Sequence, residues 1–258
     1  MNPVGVFDSG LGGLSVLKAL RAELPHEHFV YFADAGHAPY GERDDDFVAR
    51  RSRDIGRELV ENHAVKALVV ACNTATAAAI HLLRQAYPAL PIVGVEPGLK
   101  PAVALSQTRH IGVMATRSTL SSGKFRALLE SLDDLAEFHL QACDGLADAI
   151  ERGDEERIET LCAQYARTLG ESGTDPGQID TIVLGCTHYP FAQSVLSRHL
   201  HPAVKMVETG VPVARQTRAL LDAAGLLSND SGNCAGTVKL LSTGKLQSLQ
   251  AAADRWLS

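Results

Sequence analysis

Short apolar runs alternate with amphipathic stretches along almost the whole chain, and this alternation is the feature that most constrains the fold. A run such as Ala67–Cys72 contains only apolar or small residues, which is typical of a parallel strand covered on both faces. The stretches between the runs carry apolar residues at helical spacing. The sequence therefore predicts an α/β fold, built from βα units with mostly parallel sheets.

The individual elements follow from the same pattern. The predicted strands are Val4–Asp8, Phe29–Ala33, Ala67–Cys72, Ile92–Val95, Ile111–Ala115, Glu137–Cys143, Thr181–Cys186, Lys205–Val207 and Val238–Leu241. The predicted helices include Leu14–Glu23, Arg50–Asn62, Thr76–Tyr87, Gly123–Leu132, Glu155–Gly170 and Val213–Ala223. A polar loop at 228–233 is expected to lead into the last strand and a final helix.

Two pairs of segments resemble each other at similar offsets. Lys66–Thr74 resembles Asp180–His188, with the cysteines offset by 186 − 72 = 114, and Gly5–Ser9 resembles Gly112–Thr116, offset by 112 − 5 = 107. Any two βα units share an apolar run followed by small polar residues, but the repeated cysteine favours an internal duplication.

The duplication predicts two α/β domains of about a hundred residues, the usual domain scale. We expect the first domain to comprise residues 1–95 plus 210–258 and the second residues 96–209. Ligands of open α/β sheets bind beyond the carboxyl ends of the strands. Two such domains facing each other would present both repeated cysteines to one cleft, which is where we expect the active site.

Charge and composition exclude several classes of partner. The 258 residues carry a net charge of −6 and no dense Lys/Arg run, which argues against nucleic acid as a partner. No apolar stretch is long enough for a bilayer span, and the chain opens on a strand pattern rather than a signal peptide. The sequence therefore predicts a cytoplasmic protein without a membrane partner.

The five cysteines are an odd number with long spacings and no C-x-x-C pair, which argues against disulfides and structural zinc. Packing is the default interpretation of Cys143, Cys162 and Cys234. Cys72 and Cys186 differ, because each stands where a predicted strand passes into a helix beside polar residues.

A pair of thiols suits racemisation at an amino-acid α-carbon. The reaction removes a proton from one face and delivers another to the opposite face, whereas a single fixed base tends to return the proton to its original side. The reference pKa of a thiol, about 8.5, makes both protonation states available near neutral pH. Asp8, at the end of the first strand, and His188, two residues beyond Cys186, are candidates to tune the thiols.

The glycine-rich turn 8–13 exposes backbone N–H groups at a helix start, which suits a carboxylate or phosphate. It matches neither a dinucleotide fingerprint nor a phosphate loop. Further candidate binding residues are Ser9, Tyr40, Gly41, Asn73, Thr74, Thr116, Thr187 and His188. Each could equally be a helix cap or part of an ordinary loop. His37 and His110 are expected on the surface or in loops, and the sequence shows no metal constellation.

Five segments, taken together and in this order, resemble the motifs of the aspartate/glutamate racemase family: Gly5–Gly13, Pro39–Gly41, Ala71–Ala75, Gly94–Gly98 and Leu184–Pro190. The resemblance covers essentially the full chain. It departs from the family pattern at Asp144, where proline is common, and at 208–210, where Glu-Thr-Gly replaces a more usual Asp-Ser pair.

The resemblance implies two flavodoxin-like, doubly wound domains related by a pseudo-twofold axis. It implies Cys72 and Cys186 as proton donor and acceptor, with Asp8 and His188 assisting and Glu151 supporting the second cysteine. The implied substrate is glutamate, bound by Asp8, Ser9, Tyr40, Gly41, Asn73, Thr74, Thr187 and His188. It further implies a reaction without cofactor, a homodimer, and D-glutamate supplied for bacterial peptidoglycan.

Three other functions remain open on the residues alone. A thiol hydrolase would use one cysteine with His188, which leaves the second cysteine motif unexplained. A related racemase or decarboxylase would act on aspartate, hydantoins or malonates. A binding module would carry out no chemistry.

Overall fold

The computed structural model describes residues 2–228 and 235–257. Cys234 and residues 229–233 of the predicted polar loop lie outside the described residues. Within the described part of the chain, no helix combines the length and apolar character that a membrane span requires.

The described residues form nine strands and eleven α-helices. The strands are β1 (Val4–Asp8), β2 (Phe29–Ala33), β3 (Ala67–Val70), β4 (Ile92–Gly94), β5 (His110–Ala115), β6 (Glu137–Ala142), β7 (Thr181–Gly185), β8 (Lys205–Val207) and β9 (Val238–Ser242). The helices are α1 (Leu14–Glu23), α2 (Asp45–His63), α3 (Asn73–Ala86), α4 (Leu99–Leu105), α5 (Arg117–Ser121), α6 (Gly123–Glu130), α7 (Leu146–Arg152), α8 (Glu155–Leu169), α9 (Gln193–Leu196), α10 (Gly210–Ala223) and α11 (Leu246–Trp256).

The strands form two sheets, in which all strand pairs are parallel. The central strands β1, β3 and β7 are buried along their whole length, as continuous apolar runs predict. The predicted α/β fold with parallel sheets is confirmed.

Residue contacts divide the described chain into two compact units. The first unit contains residues up to Val95 together with those from Gly210 onward, and the second contains Glu96–Thr209. The sheet of the first unit has the order β4-β3-β1-β2-β9, and that of the second, read in the same sense, has the order β8-β7-β5-β6. Four strands thus follow the same order in both units, as a duplication predicts. The two repeated cysteines come after the third strand of each unit.

Each unit has its own apolar core. In the first, Phe7 and Leu68 of the sheet pack with Ile55 and Leu83 of the helices above it. In the second, residues of β5 and β7 pack with α4 and α6. Burying one such large side chain contributes roughly 1.5–3 kcal/mol.

Several predicted boundaries shift, and the reasons are local. The helix expected from Arg50 begins at Asp45, because the Asp44 side chain caps it by accepting a hydrogen bond from Phe47 N at 2.6 Å. The helix expected from Thr76 begins at Asn73, because Cys72 serves as its cap. The predicted strand ends at Cys72 and Cys186 are wrong by two residues and one residue respectively, since β3 ends at Val70 and β7 at Gly185.

Candidate active site

Cys72 lies at the junction of β3 and α3 in the first unit. The backbone N–H of Ala71 donates to Phe7 O at 2.8 Å, which continues the pairing with β1 just beyond β3. Cys72 Sγ then accepts a hydrogen bond from Ala75 N at 3.4 Å and is almost fully buried. A sulfur atom in this capping position faces the positive end of the helix dipole, which stabilises a thiolate.

The glycine-rich turn after β1 reaches the same thiol. Asp8 is fully buried, and its Oδ2 accepts a hydrogen bond from Gly10 N at 2.9 Å. The Tyr31 hydroxyl holds the turn by donating to Gly10 O at 2.7 Å. Ser9 Oγ lies 3.9 Å from Cys72 Sγ. The first unit therefore brings Ser9 close to Cys72, and Asp8 directly precedes Ser9 at the start of the same turn.

The turn also needs a glycine where α1 begins. A Cβ atom on Gly13 would lie 2.6 Å from Asp8 Cβ and 2.8 Å from the Tyr31 hydroxyl. Both distances are shorter than a Cβ atom tolerates, so only glycine allows the turn to pack this closely against Asp8.

Asn73, the first residue of α3, has an unusual environment. Its side chain is almost fully buried, yet neither Nδ2 nor Oδ1 has a hydrogen-bond partner among the described residues. An unsatisfied buried polar group typically costs about 1–3 kcal/mol. A buried amide without a partner calls for an explanation, and this one directly follows Cys72 in the chain. Thr74 is also buried and follows in the same helical turn.

Tyr40 and Gly41 lie in the loop after β2. The Tyr40 hydroxyl is buried and donates to Asp34 Oδ2 at 2.6 Å, so its hydrogen atom is already engaged. Burial raises the pKa of Tyr40 far above its usual value, and the hydrogen bond to Asp34 and the negative charge of Asp34 add to this effect. Tyr40 therefore stays neutral, and Gly41 continues the chain in a 3-10 turn.

Asp34 organises this loop, although the sequence analysis does not identify it. Arg51 donates to both of its oxygens, from Nε at 2.9 Å and from Nη2 at 2.8 Å, and Thr243 Oγ1 donates at 2.8 Å. Burial by itself would raise the pKa of Asp34. The hydrogen bonds from Arg51, Tyr40 and Thr243 and the charge of Arg51 outweigh burial, so the pKa lies below the usual value. Its position just beyond a predicted strand was the available sequence signal.

Cys186 lies directly after β7 in the second unit and is also almost fully buried. Its Sγ is 3.7 Å from Nδ1 of His188, and Nε2 of His188 is 2.8 Å from Glu151 Oε1. Thiol, imidazole and carboxylate thus form a continuous chain. The unit brings together Cys186, His188 and Glu151 as the sequence analysis expects.

The charge state of His188 follows from this chain. Burial would lower the pKa of His188, but the hydrogen bonds to Cys186 and Glu151 and the negative charge of Glu151 raise it well above the usual value. A protonated imidazole donates from both nitrogen atoms. It can therefore donate to Cys186 Sγ while it remains paired with Glu151.

Local backbone geometry positions these side chains. A Cβ on Gly185 would lie 2.9 Å from Met114 O, so the close approach of β7 to β5 favours glycine just before Cys186. The short helix α7, which carries Glu151, starts and ends at glycines with positive φ, Gly145 at 78° and Gly153 at 66°.

Three further polar residues of the second unit were singled out in the sequence: Thr187, Thr116 and Asp144. Thr187 is buried beside Cys186. Thr116 is the N-cap of α5, where its Oγ1 accepts a hydrogen bond from Thr119 N at 3.2 Å, so the helix-cap interpretation holds for it. Asp144, where the family pattern has proline, forms an ion pair with Arg117 and accepts a hydrogen bond from Tyr165 on its backbone oxygen at 2.6 Å.

The Asp/Glu/Hydantoin racemase family model matches residues 13–224. The chain belongs to this family. The family members most similar in sequence include the glutamate racemase of Methylococcus capsulatus, 48% identical over 88% of this chain and 82% of that protein. The glutamate racemase of Ralstonia nicotianae is 47% identical over 96% of this chain and 87% of its own length.

Solved racemases of the family share the fold. Glutamate racemase isoform RacE1 from Bacillus anthracis matches with a TM-score of 0.85 and 31% identity, covering 99% of this chain and 94% of that one. The Escherichia coli glutamate racemase, solved with L-glutamate and the activator UDP-MurNAc-ala, matches with a TM-score of 0.82 and 29% identity, covering 99% and 96%. The family resemblance is confirmed, and the chain is an isomerase of the amino-acid racemase class.

Proposed function

We propose that this chain interconverts L- and D-glutamate by proton transfer at Cα between two thiols, Cys72 and Cys186. The observation that carries the proposal is the equivalent placement of the thiols. Each is almost fully buried and follows the third strand of its unit, in sheets with the same strand order. Ligands of open α/β sheets bind at the carboxyl ends of the strands.

The chemistry requires one thiolate and one thiol in each direction. The thiolate removes the α-proton from one face of the substrate, and the thiol delivers a proton to the other face. The positive helix start at Cys72 stabilises a thiolate, and the His188 ring lies 3.7 Å from Cys186 Sγ, within reach for proton exchange. After each turnover the protonation states of the two sulfur atoms are exchanged, so the enzyme is ready for the opposite enantiomer.

Substrate binding falls to the polar groups around the thiols, Asp8, Ser9, Tyr40, Gly41, Asn73, Thr74, Thr187 and His188. The free amide of Asn73 supports this assignment most directly, because a substrate carboxylate would accept from Nδ2. Glutamate is the substrate named for the most similar relatives. The structure of the Francisella tularensis glutamate racemase contains D-glutamate, with a TM-score of 0.82 and 26% identity over 99% of this chain and 93% of that one.

The wider assignments are parts of the same proposal. The enzyme would work in the cytoplasm as a homodimer, without cofactor and without nucleic acid as a partner, and its D-glutamate would serve peptidoglycan synthesis. The domains used for catalysis would be residues 1–95 plus 210–258 and residues 96–209, which correspond to the two compact units.

A thiol hydrolase is the second candidate, because Cys186, His188 and Glu151 form the chain of groups that activates a nucleophilic cysteine. Such an enzyme would form an acyl-enzyme on Cys186 and would not need Cys72. Mass spectrometry of protein quenched during turnover of glutamyl amides and esters separates the two functions, since a racemase forms no covalent adduct.

The experiment that tests the proposal is racemisation in D₂O with no added cofactor. We expect L-glutamate to lose optical rotation and to gain deuterium at Cα, and Cys72→Ser and Cys186→Ser each to reduce the rate on the order of 10³-fold. Cys162→Ala is the matched control. Burial, and to a lesser degree Glu159, raise the pKa of Cys162 to about 11, which keeps it a neutral packing residue.

A panel of L-amino acids in the same assay defines the substrate. Racemisation of aspartate in preference to glutamate would contradict the substrate assignment. Full activity in either cysteine variant would contradict the two-thiol mechanism.

A further inference from the structure

Two histidines and a glutamate lie together on the β5–β6 strand pair, apart from the residues of the proposed reaction. His110 and Glu137 are direct partners in the parallel register, and His139 lies two residues beyond Glu137 on the same face of β6. His110 Nδ1 is 3.2 Å from His139 Nε2 and 3.6 Å from Glu137 Oε2. His139 Nε2 is 3.7 Å from Glu137 Oε1.

The distances among these nitrogen and oxygen atoms are similar to the distances between ligand atoms around one small metal ion. A tetrahedral zinc ion with bonds of about 2.0–2.1 Å separates its ligand atoms by about 3.3 Å. Two imidazole nitrogens and one carboxylate are a donor set that zinc accepts in proteins, with a fourth position open to water. We propose that His110, Glu137 and His139 bind a divalent transition-metal ion of the zinc class.

The site is open to solvent and acidic. The side chains of His110 and His139 are 22% and 29% exposed, so an ion reaches their nitrogen atoms without local unfolding. His110 and Glu137 also line a surface cavity of about 560 Å³, whose other charged side chains are Asp133, Asp134 and Arg109. The cavity thus has three carboxylates, those of Asp133, Asp134 and Glu137, and one guanidinium. This excess of negative charge, in a chain of net charge −6, favours the binding of a cation.

The position of the cluster separates it from the proposed catalytic thiol. His110 is the first residue of β5 and Glu137 the first of β6, whereas Cys186 follows the carboxyl end of neighbouring β7. Six strand residues span about 16 Å, so the ion would lie at the opposite end of the sheet from the thiol. It would fasten the edge strand β6 to β5.

The sequence pattern alone does not indicate this group. It places His110 on the surface or in a loop, whereas His110 begins β5, and the ligands are 27 and 29 residues apart (137 − 110 and 139 − 110). A weaker signal was present, because Glu137-x-His139 in a predicted strand puts both side chains on one face.

The test uses the full chain carrying Cys72→Ala and Cys186→Ala, so that the proposed catalytic thiols cannot bind the probe. After chelator treatment, Zn²⁺ is titrated by calorimetry and Co²⁺ by absorption spectroscopy. We expect one ion per chain, a rise in Tm on adding Zn²⁺, and tetrahedral d–d bands of Co²⁺ without a thiolate charge-transfer band. Mg²⁺, which prefers an all-oxygen site, should not compete.

Variants identify the ligands. His110→Gln and His139→Gln should each weaken Zn²⁺ binding at least about ten-fold, the loss that even outer partners of a metal site produce. His81→Gln, which removes an exposed histidine of α3, should leave it unchanged. The Tm of each metal-free variant, compared with the metal-free parent, shows that the fold is retained. Equal affinity in His139→Gln and His81→Gln, or a thiolate band with Co²⁺, would overturn the proposal. Glutamate turnover plays no part in this test, so its outcome is independent of the proposed function.

Discussion

His188 Nε2 lies 2.8 Å from Glu151 Oε1, and both side chains are largely withdrawn from solvent. The carboxylate keeps the imidazole protonated, and the other ring nitrogen faces Cys186 Sγ at 3.7 Å. In the proposed reaction, Glu151 would act on the Cys186 thiol through His188, as a positioning residue.

Glu151→Gln should lower kcat on the order of 10²-fold while changing KM little, because the charge that holds the His188 imidazolium is lost. The pKa of His188 falls in this variant, so the activity that needs the imidazolium disappears at lower pH than in the parent. The measurement is the pH dependence of kcat in both directions. Glu159→Gln is the matched control, since Glu159 pairs with the more exposed His199 at 2.7 Å. If kcat of Glu151→Gln fell at the same alkaline pH as kcat of the parent, Glu151 would not be the group that keeps His188 protonated.

Asn73→Ala should raise the KM for glutamate about ten-fold, the equivalent of one hydrogen bond of about 1.4 kcal/mol. The same change should leave the Tm unchanged or higher, because it removes a buried amide without a partner. Kinetics and thermal unfolding of one preparation measure both effects. Asn62→Ala serves for comparison, as the Asn62 side chain donates to Glu58 on the surface of α2. A lower Tm with an unchanged KM would show that Asn73 is structural.

Gly13→Ala should destabilise the chain by about 1–3 kcal/mol and reduce activity, because the new methyl group meets Asp8 Cβ and the Tyr31 hydroxyl at under 3 Å. Gly123→Ala is the matched control. Nothing lies within 4 Å of a Cβ there, and the residue begins α6, so this change should be neutral or stabilising. Urea unfolding of both variants tests the pair, and equal stability would be inconsistent with the packing described.

Arg51→Met should lower the free energy of unfolding by about 3 kcal/mol at neutral pH, because it leaves the fully buried Asp34 carboxylate without its cation. Activity should also fall, since Asp34 holds the Tyr40 loop. Arg53→Met, an exposed change on the same helix, provides the reference. If both variants unfold at the same urea concentration, the buried pair does not stabilise the first unit.

Acid should weaken the fold through Asp34 and Asp180, whose pKa values both lie below the usual value. Burial by itself would raise the pKa of Asp180. The hydrogen bonds from Ser106, Gln107 and Thr108 outweigh burial, so the pKa lies below its usual value. A carboxyl whose folded pKa is depressed stabilises the fold above its unfolded pKa of about 3.9, and this contribution is lost as pH falls through the folded pKa. Urea unfolding between about pH 5 and pH 2 should show the loss, and the loss should be smaller in Arg51→Met.

Much of the fold was predictable because it depends on local periodicity. The limits of β1, β2 and β8 agree with the pattern of apolar residues. The short helices α4 and α7 are missing from the sequence analysis, since seven residues carry too few turns for a helical period to stand out. A cysteine as the cap of α3 was equally hard to foresee, because caps are normally Ser, Thr, Asp or Asn.

The order of residues along the chain was sufficient to predict the α/β class and the family, and it indicated that Cys72 and Cys186 lie near the carboxyl ends of strands. Those features depend on periodicity and on neighbours within a few residues. Only the tertiary structure decided which distant groups meet: Arg51 with Asp34, Glu151 with His188, and His110 with His139. Strand order and helix packing create these contacts, which residues close together in the sequence do not specify.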